Sequence, residues 1–244
     1  MYSGIKSFIS KIIPRRLLFT YEYKLRYVYY LFYKGNTYQC TICKKKLSDF
    51  VTLKNDRLCP RCGSLQRTRR LYKILTDEFL TSETKILHFS PSRSIYRLLK
   101  NNHNYLSSDL SEHFFSDVSF DITKIDSADE TFDLIICYHI LEHIEDDYKA
   151  MQELFRVLKT TGTCIIQTPF KEGVIYEDAT ITSPEDRKRH FDQSDHVRIY
   201  AVKGLQTRLE HAGFCIEVRE FALEYENESG FSPKEKVLIC KKPI

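Results

Sequence analysis

The sequence predicts an α/β domain with a mostly parallel sheet, and three observations lead to this prediction. Between Ile86 and Pro169, apolar runs of strand length alternate with segments whose apolar residues recur at helical spacing. Phe132–Tyr138 is a nearly continuous apolar run, which is typical of a strand buried on both faces. The 244 residues are enough for one such domain and a small appendage.

The strands and helices follow one another in a regular order. Seven strands are predicted, at residues 86–90, 104–108, 118–122, 132–138, 163–168, 214–221 and 236–240. Helices are predicted over residues 64–80, after Pro91, after a cap at Asp146 or Asp147, and over residues 202–211. Residues 170–198 are charged and irregular, and a loop of this length inside a compact domain is usually a lid or a binding loop.

Composition and charge narrow the class of protein. The chain is 42% hydrophobic and 29% charged, as a globular protein is, and no apolar run reaches the roughly 18–20 residues of a membrane span. No export signal is visible, so a cytoplasmic location is expected. The net charge is +4, but residues 1–39 hold seven Lys and Arg against one acid, which leaves −2 for the remainder.

The first 38 residues are predicted to form a basic, aromatic-rich helical head, broken near Pro14. Seven tyrosines lie between Tyr21 and Tyr38, counting both ends. Residues 1–34 could lie on an anionic membrane surface, with the basic groups among the headgroups. They could also pack on the α/β domain or on another copy, which is the more common arrangement of tyrosine-rich helices, and the sequence leaves the oligomeric state open.

Residues 39–64 are predicted to be a small metal module, followed by the α/β domain over residues 65–244. Two Cys-x2-Cys pairs, Cys40 with Cys43 and Cys59 with Cys62, have the spacing of a four-cysteine zinc site. Four sulfur ligands leave no open coordination position, so a structural role is expected for the Zn²⁺. The other four cysteines fall singly in predicted buried strands, where cysteine behaves as a small apolar residue. A reducing compartment therefore fits better than a disulfide framework.

Polar residues follow the predicted strands. Ser90 ends the first strand, Asp109 comes 19 residues later at the end of the second, and the pair Asp121-Ile122 closes the third. Tyr138 and His139 end the fourth strand. Open parallel sheets bind ligands at this edge, and an acid at the spacing of Asp109 can accept hydrogen bonds from ribose hydroxyls.

Together with Leu141-Glu142-His143 and Gly162, these residues resemble the class I S-adenosylmethionine (SAM)-dependent methyltransferases (EC 2.1.1.-). The closer resemblance is to a type 11-like subgroup with a proline-containing first turn and a zinc knuckle in front. It implies a Rossmann-like seven-stranded sheet and SAM as the cofactor. It also implies cofactor contacts from Phe89, Ser90, Pro91, Ser92, Asp109, Leu110, Asp121, Ile122, Tyr138 and His139. The first turn, Ser90 to Ser94, departs from the family pattern because it contains no glycine.

Three histidines are candidates for a general base: His139, His143 and His196. An unperturbed histidine titrates near neutral pH, which suits proton removal from an oxygen acceptor. The spacing His139-x-x-Glu142-His143 also matches an inverted zinc-protease motif. Because His139 ends an apolar strand rather than lying on a helix, the methyltransferase interpretation is preferred.

The predicted loop carries the candidate acceptor-binding residues Tyr176, Glu177, His190, Gln193, His196 and Arg198. The segment from Phe191 to Arg198 resembles one that lies over the acceptor pocket in the same subgroup, and a small polar or glycan acceptor is the first hypothesis. A charged, solvated loop is the alternative. RNA is a second acceptor hypothesis, for which Arg67, Arg69 and Arg70 would supply a basic face. The glycine-free turn also leaves open a non-catalytic binding module.

Overall fold

The computed structural model describes residues 15–54, 56–111, 113–222 and 226–244, without the side chains of residues 15–18 and 20. The predicted helix break near Pro14 therefore lies outside the described residues. Two compact units form. The first takes in Ser92–Arg97 with the described parts of Met1–Glu78 and Leu223–Pro233, and the second takes in Phe79–Pro91, Leu98–Ala222 and Lys234–Ile244. The contacts thus group residues 65–78 with the cysteine module rather than with the sheet.

The first unit begins with a helix and two small hairpins. Helix α1 (Arg15–Leu31) leads into β1 (Lys34–Gln39), which pairs antiparallel with β2 (Lys46–Leu47). The second hairpin is β3 (Val51–Leu53) with β4 (Asp56–Leu58). Helix α2 (Gln66–Ile74) follows and continues as one wider helical turn over Leu75–Phe79. Among the described residues, no helix is both long enough and apolar enough to cross a bilayer.

An arginine occupies the centre of the first unit. Arg69 is fully buried, with its guanidinium 3.9 Å from the ring centre of Phe50. It donates to the carbonyl oxygens of Ser229 at 2.8 Å and Ser64 at 2.8 Å, and further bonds reach Arg57 and Gly230. Arg70 is 3% exposed and donates to a backbone carbonyl as well. The expectation of a basic face is wrong for both arginines, because backbone carbonyls from three segments bind them inside the unit.

The second unit is built on a mixed, mostly parallel sheet. Its described strands are β5 (Ile86–Phe89), β6 (Tyr105–Ser108), β7 (Phe132–Tyr138), β8 (Leu158–Gln167), β11 (Cys215–Phe221) and β12 (Glu235–Lys241), in the order β11-β12-β8-β7-β5-β6. The neighbours among β6, β5, β7 and β8 are parallel, and β12 and β11 join antiparallel. This is the predicted α/β Rossmann-like fold. Registers place Phe89 beside Ser108 and Cys137, so the carboxyl ends share one edge.

The third predicted strand is reduced to a single bridge between Ser108 and Val118, so the described sheet has six strands instead of seven. Side chains replace the backbone ladder beyond this bridge. The Ser108 hydroxyl accepts the amide of Phe120 at 2.9 Å, and the Ser119 hydroxyl donates to the carbonyl of Asp109 at 3.0 Å. The chain then turns at Asp121, and no further backbone pair forms with β6.

Helices α3 (Arg93–Leu99), α4 (Asp147–Val157) and α6 (Val202–His211) lie near their predicted positions. Asp146 caps α4 by accepting the amide of Lys149. Side chains of α4, α6 and the strands form one apolar core, with Leu87, Ile135 and Leu154 completely buried. Three of the four single cysteines are buried, as predicted, but Cys215 is exposed because it begins the edge strand β11.

Residues 170–198 contain regular structure that the sequence analysis treated as loop. Helix α5 (Pro184–Phe191) lies between the short strands β9 (Tyr176–Glu177) and β10 (Arg198–Ile199), which pair antiparallel. A capping signal is present in the sequence, because Ser183 accepts the amide of Asp186 and Pro184 occupies the first turn. The segment is thus a small ordered subdomain rather than an irregular loop.

Candidate functional site

The four cysteines come together as their spacing predicts. Cys40 and Cys43 follow β1, Cys59 and Cys62 follow β4, and the sulfur atoms all lie within 4.8 Å of one another. The Sγ–Sγ distances are 3.7 Å for Cys40 to Cys62 and 3.7 Å for Cys43 to Cys59. A zinc ion with Zn–S bonds of about 2.3 Å requires tetrahedral edges of about 3.8 Å. The cluster is therefore consistent with a zinc site.

The two cysteine pairs share one backbone geometry. In each pair, the residue after the second cysteine has a positive φ, 57° at Lys44 and 75° at Gly63. The amide of that residue donates to the carbonyl of the first cysteine, at 2.9 Å in both pairs. These matching turns aim the two sulfur atoms of each pair at the same point.

At the edge of the sheet, Ser90 and Asp109 are in direct contact. The Ser90 hydroxyl donates to Asp109 Oδ1 at 2.6 Å, and the Ser90 amide donates to the carbonyl of Ser108 at 2.7 Å. Asp109 is 3% exposed and also accepts from the Ser111 hydroxyl and the Phe114 amide. Ser90 has a φ of 45°, in the left-handed region where glycine is usual. The chain therefore makes a glycine-type turn with serine.

The other residues of the predicted cofactor set lie in different environments. Phe89 and Ile122 belong to the apolar core, whereas Leu110 is 61% exposed. Asp121 is exposed, and its carboxylate accepts the amide and the hydroxyl of Thr123 at 2.8 Å. Pro91 is buried, and Ser92 directly precedes α3.

At the end of β7, Tyr138 is half-buried and His139 has a φ of 55°. The His139 amide donates to the carbonyl of Gln167 at 2.8 Å, which ties the ends of β7 and β8 together. Its Nδ1 atom lies 3.2 Å from Oε1 of Glu142, a side chain that is almost completely buried. Positive φ values at two non-glycine residues, Ser90 and His139, mark this edge as locally strained, which is common at ligand sites.

This edge also carries buried polar atoms that have no hydrogen-bond partner in the described part of the chain. They are His139 Nε2, both carboxylate oxygens of Glu142, Gln167 Oε1, Thr168 Oγ1 and His196 Nε2. Buried polar atoms in proteins are nearly always paired, so a group of unpaired ones in one place is the expected state of a ligand site without its ligand. Sequence reasoning missed Gln167 and Thr168, although their place at the end of an apolar strand was a usable signal.

The predicted acceptor residues divide between two places. Gln193, His196 and Arg198 line a cavity of about 120 Å³ together with Glu142, Phe170 and Lys171. Glu177 and Arg198 line a second cavity of about 430 Å³. The Tyr176 hydroxyl forms a hydrogen bond with His190 Nδ1, at 2.7 Å. The predicted set therefore does not form one pocket.

Arg198 is held by the protein itself. Its guanidinium donates to Glu177 at 2.8 Å and to the carbonyls of Leu141, Ile144 and Glu145. These bonds fix the turn that carries Glu142 and His143, so Arg198 holds these two residues in position. A hydrogen bond from Arg208 lowers the pKa of Glu177, and Arg198 adds to the effect. Burial lowers the pKa of His196, with a contribution from the neighbouring His143.

The mostly parallel sheet has the Rossmann-like fold of class I SAM-dependent methyltransferases, and polar groups lie along its carboxyl edge. Residues 89–166 match the family described as methyltransferase domain, type 11. The match covers about a third of the chain, and the enzymes of this family belong to EC 2.1.1.-.

Three relatives illustrate the likeness. A SAM-dependent methyltransferase from Archaeoglobus fulgidus is 16% identical with a TM-score of 0.52, over 72% of this chain and 93% of that one. A phosphoethanolamine N-methyltransferase from Haemonchus contortus, in complex with phosphomonomethylethanolamine and S-adenosylhomocysteine, is 12% identical with a TM-score of 0.51, over 72% of this chain and 53% of that one. An uncharacterized protein from Methanocaldococcus jannaschii is 37% identical over 57 residues, which span 23% of this chain and 25% of that protein.

Proposed function

We propose that this protein transfers the methyl group of SAM to a small polar or glycan acceptor. The observation that carries the proposal is the row of buried, partnerless polar atoms where β7 and β8 end, beside the contact between Ser90 and Asp109. When bound, SAM supplies an activated methyl group on a sulfonium. The chain supplies the surroundings that hold both substrates in line.

Asp109 is the proposed ribose-binding residue. A carboxylate has about four acceptor positions, and here the hydroxyl of Ser111 contacts both oxygens, at 3.2 and 3.0 Å. Ser111 can rotate away and leave these positions to the two ribose hydroxyls, while Ser90 and the Phe114 amide keep the carboxylate oriented. The proposed cofactor set also includes Phe89 to Ser92, Leu110, Asp121 and Ile122. Tyr138 and His139 complete it and are proposed to lie nearest the sulfonium.

His139 is the favoured general base. With a proton on Nδ1 facing Glu142, the ring has its lone pair on Nε2, the buried atom without a partner. A nearby carboxylate stabilises the imidazolium that forms when Nε2 takes a proton. His143 and His196 are the other candidates from the sequence, but their Nδ1 atoms face Asp195 and Phe191 instead.

The acceptor is proposed to enter the 120 Å³ cavity beside Glu142. Its lining combines a lysine, a glutamine and a histidine with the ring of Phe170, which suits a small polar group. The Haemonchus enzyme shows that this fold accommodates a polar small molecule. The RNA hypothesis is less favoured, since Arg69 and Arg70 are buried and the half-buried Arg67 lies 3.7 Å from Asp56.

The head offers a separate surface for a partner. On α1 and just after it, four apolar or aromatic side chains at helical spacing are 54–81% exposed: Tyr21, Leu25, Val28 and Phe32. Within the first unit, Arg61 and Arg97 stack on Tyr23 and Phe19 instead. We propose that the exposed stripe binds an anionic membrane or another protein surface. Sedimentation with anionic vesicles, for the wild-type protein and Leu25→Glu, distinguishes the two, since a protein contact predicts no vesicle binding by either.

The first test is calorimetric titration of the zinc-replete protein with SAM and S-adenosylhomocysteine. We expect micromolar binding by the wild-type protein and a loss of about 10- to 100-fold in Asp109→Ala, because hydrogen bonds to a charged group contribute about 1.5–3 kcal/mol. Asp126→Ala, which removes an exposed carboxylate from the loop before β7, is the matched control.

Binding by the wild-type protein would be followed by measuring S-adenosylhomocysteine release with sugars, sugar phosphates and small amines. Absence of cofactor binding in the wild-type protein would contradict the proposal and favour the non-catalytic binding module. Equal binding by Asp109→Ala and wild type would remove Asp109 from the site while leaving the activity to be tested directly.

A further inference from the structure

Glu142, His143 and His196 form a cluster beside the cavity proposed for the acceptor. Their ligand-type atoms all lie within 4.8 Å of one another. Glu142 is 1% exposed, and across the residues that the structure describes its carboxylate oxygens make no hydrogen bond, while His139 Nδ1 lies 3.2 Å from Oε1. One neighbouring histidine leaves most acceptor positions of this carboxylate unfilled, and burying such a charge costs several kcal/mol by order of magnitude, so a cation is the natural occupant.

The two histidines are oriented as metal ligands usually are. His196 Nδ1 lies 3.1 Å from the carbonyl oxygen of Phe191, and His143 Nδ1 lies 3.3 Å from both the carbonyl and the carboxylate of Asp195. Each Nδ1 therefore donates its proton to an acceptor, and the lone pair of each ring is on Nε2. Metal-binding histidines are held in this way, with the second nitrogen bonded to a carbonyl or carboxylate.

The cluster is rigid although its members are distant in sequence. The Val197 amide donates to the carbonyl of Glu142 at 2.9 Å, which joins the turn after β7 to the segment after α5. Arg198 bonds the carbonyls of Leu141 and Ile144 on either side of the pair Glu142 and His143. The rings of His143 and His196 pack edge to face, with 4.6 Å between their centres. The ligand atoms are thus fixed in place by the protein before any ion arrives.

We propose that Glu142, His143 and His196 bind a divalent transition-metal ion. Two imidazole nitrogens and one carboxylate oxygen suit first-row ions such as Mn²⁺, Fe²⁺, Co²⁺ or Zn²⁺ better than Mg²⁺ or Ca²⁺, which prefer oxygen ligands alone. This site is separate from the four-cysteine cluster, whose sulfur ligands close their own coordination shell.

Three protein ligands leave coordination positions open, and Glu142 and His196 both line the 120 Å³ cavity. The ion can there bind an acceptor oxygen and lower the pKa of an acceptor hydroxyl. This role rests on the proposed function, whereas binding of the ion does not. A metal ion here would also narrow the acceptor class to molecules with a hydroxyl, carbonyl or phosphate oxygen that can reach the ion.

Metal binding is tested on the full-length, zinc-replete protein without SAM or acceptor. Mn²⁺ is the first probe, with free Mn²⁺ counted by electron paramagnetic resonance, because thiolates bind this ion poorly. Co²⁺ is the second, since a histidine and carboxylate site gives visible bands without the thiolate charge-transfer bands of a cysteine site. The variants are Glu142→Gln, which removes the charge at nearly constant volume, and His143→Gln, whose half-buried side chain makes misfolding a smaller concern. Glu145→Gln, an exposed carboxylate in the same turn, is the control.

We expect one Mn²⁺ per chain in the wild-type protein and in Glu145→Gln, with affinity reduced at least tenfold in Glu142→Gln and in His143→Gln. A wild-type protein that binds neither Mn²⁺ nor Co²⁺ beyond its zinc would overturn the proposal. Unchanged affinity in both variants would do so as well. The cofactor titration above is independent of these results, so failure of the metal site and failure of the methyltransferase proposal are distinguishable.

Discussion

The two units of this protein are stabilised in different ways. In the sheet unit, the centre is apolar, with Leu87, Ile135 and Leu154 completely buried among similar neighbours. In the cysteine unit, the largest fully buried side chain is Arg69, and four cysteines converge nearby. A broad apolar core spreads its stabilisation over many residues, whereas a small unit depends on a few specific polar and metal contacts. Single substitutions should therefore act very differently in the two units.

Loss of a metal ion from the four cysteines should destabilise the cysteine unit far more than the sheet unit, and this is the largest expected difference. Zinc binding to four thiolates contributes roughly 10–16 kcal/mol of apparent folding free energy, so Cys59→Ser should unfold the cysteine unit while the sheet stays folded. Amide hydrogen exchange would show lost protection in residues 34–74 and retained protection in β5 to β8. Cys215→Ser, an exposed cysteine at the start of β11, is the control and should change neither unit. Unchanged protection in Cys59→Ser would mean that the cluster does not hold the unit together.

A buried histidine in the sheet unit should make that unit sensitive to pH. His88 is 2% exposed on β5, and burial lowers its pKa to about 3, against about 6.5 when it is solvated. Between these values the unfolded chain binds a proton that the folded chain does not, so stability falls as pH falls, by about 1.4 kcal/mol per unit. Urea unfolding at pH 7 and pH 5 should therefore differ by about 2 kcal/mol more in the wild-type protein than in His88→Gln.

His103→Gln, which removes an exposed histidine, is the control for this pH experiment and should behave as the wild-type protein does. A pH dependence that survives unchanged in His88→Gln would show that another group is responsible.

The smallest effect concerns the backbone of the turn after β5. Ser90 has a φ of 45°, which costs a non-glycine residue about 1–2 kcal/mol. Ser90→Gly and Ser90→Ala both lose the hydroxyl that donates to Asp109, but only alanine retains the strain. We expect the glycine variant to be more stable than the alanine variant by about 1 kcal/mol in urea unfolding. Equal stability would show that the turn relaxes without cost.

Structural features that depend on residues close together in the sequence were predicted. The apolar run of β7 identified a buried strand, and the spacing of Cys40, Cys43, Cys59 and Cys62 identified a metal cluster, because both signals lie within short segments. Asp109 was placed at the sheet edge because the end of a strand is visible in sequence. Its contact with Ser90 was not predicted, and the parallel register of β5 and β6 explains it.

Contacts between distant segments were not predictable in this way. Arg69 looked like a surface residue because two of the four carbonyls that bind it belong to residues 160 or more positions away. Residues 118–122 had the pattern of a strand, but the serine hydroxyls at Ser108 and Ser119 took the backbone groups that a ladder would use. The partnerless oxygens of Glu142 depend on the fold of residues 195–198 over the turn after β7, which no local pattern reveals.

The cysteine unit is completed by a segment near the other end of the chain. Arg69 donates to Ser229, and Gln66 donates to the carbonyl of Phe231 at 3.1 Å. During synthesis at about 5–20 residues per second, the ribosome must add these residues on the order of ten seconds after α2 has emerged. Throughout that interval Arg69 and Gln66 lack these partners, so zinc bound at the four cysteines would stabilise the unfinished unit until residues 229–231 are added.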